Sequence, residues 1–197
     1  MGLSSSPRIF PKILKPPLAH LRQKGCAIFG YMDDIFVLGS SYEECLENLR
    51  KSILPILLFL KLGFFYPRKK SVLVPSQSLI FLGLRLDSVA MAVSLTQEKK
   101  AKLKWLCLES LEKENQVIWF VAQVIDKIVS SLPGVEFGRL HYRHLERDKI
   151  QALRRSLGDY DILMHLSKVA KYELNWLLDV ASHLCRRIKH APTNSAY

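Results

Sequence analysis

The stretch FGYMDDIFVLG, residues 29–39, places two adjacent carboxylates, Asp33 and Asp34, between two runs of apolar residues. Runs of aromatic and β-branched residues on either side of a short polar centre predict a β-hairpin over residues 26–39, with the acids at its turn. Each carboxylate disfavours ionisation of the other, and burial adds to that cost. Either the pair is hydrated at an exposed turn or a divalent cation binds it, and the rest of the chain has to decide between the two.

The composition is that of a folded, basic protein. Of the 197 residues, 49% are hydrophobic and 24% are charged, which is typical of a globular chain long enough to bury a core. The 29 Lys+Arg against 18 Asp+Glu give a formal net charge of +11. An excess of this size favours nucleic acid or an anionic membrane surface as partner, although many basic proteins simply tolerate their charge.

The cysteines and the apolar runs indicate the compartment. The four cysteines lie far apart, without a C-x-x-C pair or a histidine at metal-ligand spacing: Cys26, Cys45, Cys107 and Cys185. We predict free thiols, most of them buried, and no disulfide partner. The first residues lack the apolar segment of a secretory signal, and the longest apolar run, Ile53–Leu60, is too short to span a bilayer. We therefore expect an intracellular protein without a membrane segment, in the nucleus or the cytoplasm.

The first half of the chain has a mixed pattern. Ser41 and Glu44 have the spacing of a capping box, and the apolar stripe that follows predicts a helix ending at Gly63. Pro55 lies inside this helix and costs about 3 kcal/mol if its ring clashes with the preceding turn. Short strands are predicted at Ser71–Val74, Leu79–Asp87 and Met91–Leu95.

The second half has a helical period from Thr96, a predicted N-cap, to the end of the chain. The predicted helices follow the apolar stripe at residues 117–132 and then cover residues 139–157 and 167–184. On the helix at residues 139–157, Arg143, Arg147 and Arg154 fall within about 40° of one another at 100° per residue, either as a phosphate-binding face or as a solvated one.

We expect the three tryptophans, Trp105, Trp119 and Trp176, in the core. We interpret His141 and His144 as non-metal residues. The change of period predicts an α+β fold.

The Y-x-D-D pattern of the hairpin resembles motif C of reverse transcriptases. Three further stretches are similar to neighbouring motifs of that family: GLSSSPRIF at residues 2–10 to motif B, GFFYPRKKS at residues 63–71 to motif D, and FLGLRLDS at residues 81–88 to motif E. Their order and spacing are those of the family. Within it, the DIRS-type retrotransposons are the most similar, through the runs SSYEECLENL, VLVPSQSLIFLG and VAQVIDKIVSSLPGVEFGRLHYRHLERDKIQAL.

The resemblance covers essentially the whole chain and implies an RNA-directed DNA polymerase. It implies a partial palm over residues 1–95 and a helical thumb and connection region over residues 96–197, leading toward an RNase H domain that is absent here. Nucleotidyl transfer in this family uses two divalent ions, so Asp33 and Asp34 would bind Mg²⁺ or Mn²⁺ and act in catalysis. The implied nucleotide and primer contacts are Tyr31 and Met32 at the primer end or sugar, Gly2 and Pro7 along the template, Lys70 at the phosphates, and Phe81 and Gly83 beneath the primer.

The sequence also departs from the family pattern. Reverse transcriptases carry another aspartate, in motif A upstream of motif B, and residues 1–32 contain no acid. Pro67 stands where motif D commonly has Asn. We therefore expect a truncated copy with one metal-binding corner, and two hypotheses stay open. The chain is either a palm and thumb piece of a polymerase that takes template-primer and dNTPs, or a catalytically dead basic fragment with non-specific nucleic-acid affinity.

Overall fold

The computed structural model describes residues 4, 6–61, 63, 71–180 and 185–188, with the backbone alone for residues 6, 7 and 54–61. These residues form helices and antiparallel sheets, which confirms the predicted α+β fold. No helix within these ranges combines the length and the apolarity needed to cross a membrane. Two compact units cover the chain, Met1–Ser76 and Gln77–Tyr197. The predicted palm and thumb division at residues 95/96 stays a prediction.

The first unit consists of two helices and one hairpin: α1 (Ser6–Gln23), β1 (Ala27–Tyr31), β2 (Asp34–Leu38) and α2 (Tyr42–Lys61). The two strands pair antiparallel from Ala27 opposite Leu38 to Tyr31 opposite Asp34, which confirms the predicted hairpin. Helix α2 continues past Pro55 and ends two residues before Gly63, whose φ is 88°.

A small apolar core joins α1 to the hairpin. It contains five buried residues, Leu14, Leu18, Leu21, Cys26 and Ile28, with the half-buried Phe10 and Val37 packed against them. The helical members recur at intervals of three and four, so they lie on one side of α1. Side chains alternate between the two faces of a strand, and for this reason Ile28 is buried while Ala27 and Phe29 are exposed.

The start of α2 is fixed to the end of the hairpin. The Glu44 amide donates to Ser41 Oγ at 3.1 Å, which confirms the Ser41 half of the predicted capping box. Glu44 Oε2 accepts from the Ser40 amide at 2.8 Å, one residue before the N-cap. Asn48 Nδ2 donates to the Leu38 carbonyl at 2.8 Å. A Cβ at Gly39 would collide with the Cys45 backbone, so glycine is the residue that permits this close approach.

The second unit contains these elements: β3 (Ser78–Phe81), β4 (Leu84–Asp87), β5 (Ala92–Leu95), α3 (Gln97–Glu112), β6 (Asn115–Val117), α4 (Ile118–Ser131), α5 (Arg143–Arg155), β7 (Leu163–His165), α6 (Lys168–Val180) and β8 (Cys185–Arg187). One antiparallel sheet has the order β3-β4-β5-β8, and β6 pairs with β7 in another. The predicted N-cap of α3 is confirmed, since the Lys99 amide donates to Thr96 Oγ1 at 3.3 Å.

Two strand predictions in this region are wrong. The described segment 71–77 contains no strand, because none of the described strands forms a ladder with it, and Val72 and Val74 are 62% and 66% exposed. The single strand predicted at Leu79–Asp87 is two strands, β3 and β4. Leu82 and Gly83 have φ of 53° and 71°, which turns the chain back on itself in a two-residue hairpin loop.

The prediction of helix to the end of the chain is wrong at β6, β7 and β8. Each is only three residues long, too short to give a periodic signal, and each forms by pairing with a distant segment. Helix α5 begins at Arg143 instead of residue 139, after a short 3-10 turn at Gly138–Leu140 that leaves His141 outside the helix. Helix α6 covers the first part of the predicted 167–184, and residues 181–184 lie outside the described residues.

The helices of the second unit enclose one apolar core. Its buried members are Leu95, Leu103, Leu106, Cys107, Ile118, Val121, Val124, Ile125, Ile128, Val135, Tyr142, Leu145, Met164, Leu166, Ala170, Leu174 and Leu177. The prediction of core tryptophans is wrong for Trp105 and Trp119, which are 50% and 58% exposed. Trp176 is half-buried and stacks on His141 with ring centroids 3.6 Å apart.

All four cysteines are free thiols. Cys26 and Cys107 are buried, Cys45 is half-buried and Cys185 is exposed, so the prediction that most are buried is wrong. Burial raises the pKa of Cys107 to about 12. That thiol therefore stays protonated and unreactive at neutral pH.

Candidate functional site

The hairpin tip carries the four residues of the Y-x-D-D pattern. Tyr31 and Asp34 form the last pair of the ladder, and Met32 and Asp33 form the turn between them. All four side chains are exposed. Met32 has a φ of 52°, an uncommon conformation for a residue with a side chain, and such strain is characteristic of functional turns. The exposed position gives both carboxylates access to solvent and to any cation.

Helix α1 supports this tip from behind. A Cβ at Gly30 would lie 2.7 Å from Leu18 Cδ1, so the strand rests directly on the helix three residues before Asp33. Arg22 Nε donates to the Ile28 carbonyl at 2.9 Å and joins the end of α1 to β1. The acids therefore project from strands held by packing and hydrogen bonds, which suits a site that needs precise geometry.

The other face of the hairpin is apolar and exposed. Residues paired across the ladder share a face, so Phe29 lies beside Phe36, and Tyr31 lies beside Asp34. Phe29 and Tyr31 are each 54% exposed, and Leu38 is 41% exposed. In the part of the chain that the structure describes, β1 and β2 form a sheet of two strands, and side chains of α1 and α2 bond the Ile28 and Leu38 carbonyls.

The donor set at the tip suits a hard divalent cation. Carboxylate oxygens are the ligands that Mg²⁺ and Mn²⁺ prefer, and Asp33 and Asp34 supply two such groups side by side. Among the described residues, no group of three or more His, Cys, Asp or Glu is arranged to hold a metal ion. The two aspartates therefore fit part of a metal site, with further ligands required from elsewhere.

In the second unit, the β3–β4 turn is held by a lysine that sequence reasoning missed. Phe81 is half-buried at the end of β3, and Gly83 follows in the turn. Lys99 Nζ donates to the Leu82 carbonyl at 3.2 Å and to the Ser130 carbonyl at 3.0 Å. Burial lowers the pKa of Lys99, and nearby Lys127 lowers it further. No sequence signal could have found these bonds, since the partners lie 17 and 31 residues away.

The three arginines predicted to share a face of α5 do so. Arg143, Arg147 and Arg154 are all exposed and line one open surface of the helix, together with Ile150 and Gln151. Arg143 also forms an ion pair with Glu146 at 3.4 Å. We call this surface the arginine face.

A buried carboxylate holds the start of α5. Glu173 on α6 is 3% exposed and accepts hydrogen bonds from the amides of His144 and Leu145, each at 3.1 Å from Oε2. His144 Nδ1 lies 2.8 Å from Glu173 Oε1. Tyr142, at the N-cap position, makes no side-chain capping bond. Glu173 thus replaces the missing local cap, and a carboxylate at this N-terminus also interacts favourably with the dipole of α5.

The structure describes only some of the remaining predicted site residues. Gly2 and Lys70 lie outside the described residues, and Pro7 lies in α1 with only its backbone described. The first unit brings Tyr31, Met32, Asp33 and Asp34 together at one tip, and the second unit holds Phe81, Gly83 and the arginine face.

Comparison with solved structures gives an informative similarity. No family model and no curated protein matches the chain. Among solved structures, a foamy viral protease-reverse transcriptase in complex with double-stranded DNA matches with a TM-score of 0.59 and 17% identity, over 93% of this chain and 28% of that one. The chain thus spans less than a third of that protein's length. This likeness shows that the chain has a reverse-transcriptase-like fold.

Proposed function

We propose that this chain is the palm and thumb portion of an RNA-directed DNA polymerase of a DIRS-type retrotransposon. One observation carries the proposal: two adjacent carboxylates project from the tip of a helix-supported hairpin, in a chain whose fold is reverse-transcriptase-like. The DIRS assignment rests on the three sequence runs described above. The foamy viral protein supports the fold alone, and the motif assignments rest on the sequence.

In this proposal the hairpin tip is the catalytic corner. Asp33, in the turn, is the direct ligand of Mg²⁺ or Mn²⁺, and Asp34 supports it. When bound, the divalent ions would stabilise the attacking 3′-oxygen and the oxygens of the departing pyrophosphate. Tyr31 and Met32, on the same tip, would position the primer end or the nucleotide sugar.

The catalytic corner needs a carboxylate in addition to Asp33 and Asp34. Residues 1–32 contain no acid, and the reaction requires ligands for both ions. We propose that no other acid of these 197 residues completes the corner. The 197-residue chain alone should therefore bind a divalent cation weakly and should not extend a primer.

The other predicted residues would bind the nucleic acid. Phe81 and Gly83 at the β3–β4 turn would support the primer, and the arginine face would bind phosphates. Gly2 and Pro7 would lie along the template, and Lys70 would approach the nucleotide phosphates. A net charge of +11 supports salt-dependent binding of this kind.

A second candidate function is nucleic-acid binding without catalysis. It is favoured by the same net charge together with the absence of an acid in residues 1–32. Under this alternative the arginine face would bind nucleic acid while the hairpin tip carries no metal.

A metal-binding measurement separates the two. Mn²⁺ binding to the 197-residue chain, followed by electron paramagnetic resonance, should decrease at least tenfold in Asp33→Asn. The control Glu43→Gln removes an exposed acid from the first turn of α2 and should leave Mn²⁺ binding unchanged. Equal binding by wild type and Asp33→Asn would contradict the metal role. Primer extension by the wild-type chain, abolished in Asp33→Ala, would contradict the incomplete corner.

A further inference from the structure

One lysine of the second unit joins three elements through a single ammonium group. Lys99 lies in the first turn of α3, where its own amide donates to Thr96 Oγ1 at 3.3 Å. Its Nζ donates to the Leu82 carbonyl, in the turn between β3 and β4, at 3.2 Å. The same Nζ donates to the Ser130 carbonyl, in the last turn of α4, at 3.0 Å. We call these two bonds the Lys99 bridge.

Both acceptors are groups that regular secondary structure does not use. Carbonyls in the last turn of a helix have no amide four residues ahead to bond, and Ser130 is one of them. A cation there is also favoured by the helix dipole, whose negative end lies at this terminus. The Leu82 carbonyl belongs to a two-residue loop outside the β3–β4 ladder. One charged donor thus satisfies one carbonyl from each of two elements.

The stem of the lysine also supports the turn. A Cβ at Gly83 would lie 3.2 Å from Lys99 Cε and 3.3 Å from Cδ, so the turn backbone rests on the side chain. Leu82 has a φ of 53°, a conformation that a leucine keeps only when its surroundings hold it. Among the described residues Lys99 forms no ion pair, so the two carbonyls are its partners there.

The elements that the Lys99 bridge joins present exposed side chains. Ile80 and Leu82, at the β3–β4 hairpin, are 58% and 40% exposed, and Val129 at the end of α4 is 43% exposed. Holding both backbones with one group keeps these side chains in a single arrangement. A surface that is already ordered loses less conformational entropy when it binds a partner.

We infer that Lys99 is a positioning residue: the Lys99 bridge fixes the β3–β4 turn against the end of α4, so that the turn meets nucleic acid in one conformation. The partner of the turn rests on the proposed function, whereas the bridge itself does not.

Three variants of the full chain test the inference. Lys99→Met keeps the length of the stem but removes the donors, and Lys99→Arg keeps donors. Lys102→Met is the control, because it removes the same charge from an exposed position of α3, where Nζ lies over Trp105. If Lys99→Met fails to fold, Lys99→Leu, which also lacks donors, replaces it in each comparison.

The first measurement is amide hydrogen exchange without nucleic acid. Residues 82–84 should exchange at least tenfold faster in Lys99→Met, at wild-type rates in Lys102→Met, and close to wild type in Lys99→Arg. Unchanged exchange at the turn in a folded Lys99→Met protein would overturn the inference.

The second measurement is the affinity for a primer–template duplex at fixed salt. It should fall about tenfold in Lys99→Met and about twofold in Lys102→Met, and Lys99→Arg should restore it. If residues 82–84 exchange faster in Lys99→Met but its duplex affinity equals that of Lys102→Met, the Lys99 bridge stands and the role of the turn in binding is overturned. A wild-type chain that binds no duplex would contradict the proposed function, and the exchange data would then decide the bridge alone.

Discussion

The two compact units differ in how much core holds them and in where their functional groups lie. Among the described side chains, five buried apolar residues join α1 to the hairpin, whereas the core of the second unit has more than three times as many. The first unit exposes its two acids and an apolar sheet face, and the second exposes a basic helix face. The proposed chemistry therefore lies on the unit with the smaller described core, and we expect that unit to open more readily.

The largest expected effect is a difference in local stability between the units. Buried amides of α4 and α6 should exchange about a thousandfold more slowly than the paired amides of β1 and β2, which corresponds to about 4 kcal/mol. Native-state hydrogen exchange on the full chain measures this. Equal protection in both places would mean that the chain unfolds as one cooperative body, and the comparison would fail.

The next effect tests whether the second unit depends on its buried carboxylate. Glu173→Ala leaves the amides of His144 and Leu145 without their acceptor, and we expect a loss of about 3 kcal/mol in the free energy of unfolding. Urea denaturation followed by helix circular dichroism measures it. The control Glu146→Gln breaks an exposed pair with Arg143 and should cost less than about 1 kcal/mol. Similar losses in both variants would contradict the capping role.

A smaller effect distinguishes a phosphate-binding face from a solvated one. Replacing Arg143, Arg147 and Arg154 with Gln should reduce the salt dependence of duplex binding by a slope of about 2.7, at about 0.9 for each phosphate contact. A matched variant replaces Arg50, Arg139 and Lys168, which are exposed elsewhere, with Gln and loses the same charge. Equal slopes for the two variants would show that net charge alone drives binding and that the arginine face is merely solvated.

The features predicted correctly from the sequence are those that neighbouring residues determine. The hairpin, the capping box of Ser41 and Glu44 and the N-cap Thr96 all depend on contacts within a few residues. The same locality predicts the exposed turn at Asp33 and Asp34, because the residues flanking a hairpin turn determine it. Local sequence patterns were therefore enough to predict the hairpin, the starts of the two helices and the position of the hairpin tip.

The features that the sequence did not reveal depend on distant partners. In the sequence, Glu173 is an ordinary acid of a predicted helix. Its role depends on the His144 amide at the start of α5, which lies 29 residues away in the chain. Residue type alone predicts a buried Trp105, but the buried side of α3 is the one that carries Leu103, Leu106 and Cys107. The Lys99 bridge is of the same kind. Such contacts follow from tertiary packing, which one-dimensional periodicity does not encode.

The smallest effect compares the helix caps of the two units as the pH falls. Hydrogen bonds from the Ser40 side chain and backbone lower the pKa of Glu44 below its ordinary value of 4.5. The stabilisation is therefore complete above pH 4.5, the value expected in the unfolded chain, and is lost as the pH falls through the lower folded value. The cap of α3 is the hydroxyl of Thr96, which does not titrate in this range. After correction for intrinsic rates, hydrogen exchange at the start of α2 should quicken below pH 4.5, while the start of α3 stays constant and Glu44→Gln abolishes the pH dependence. Parallel quickening at both helices would instead report acid unfolding of the whole chain, and the two caps would then not differ.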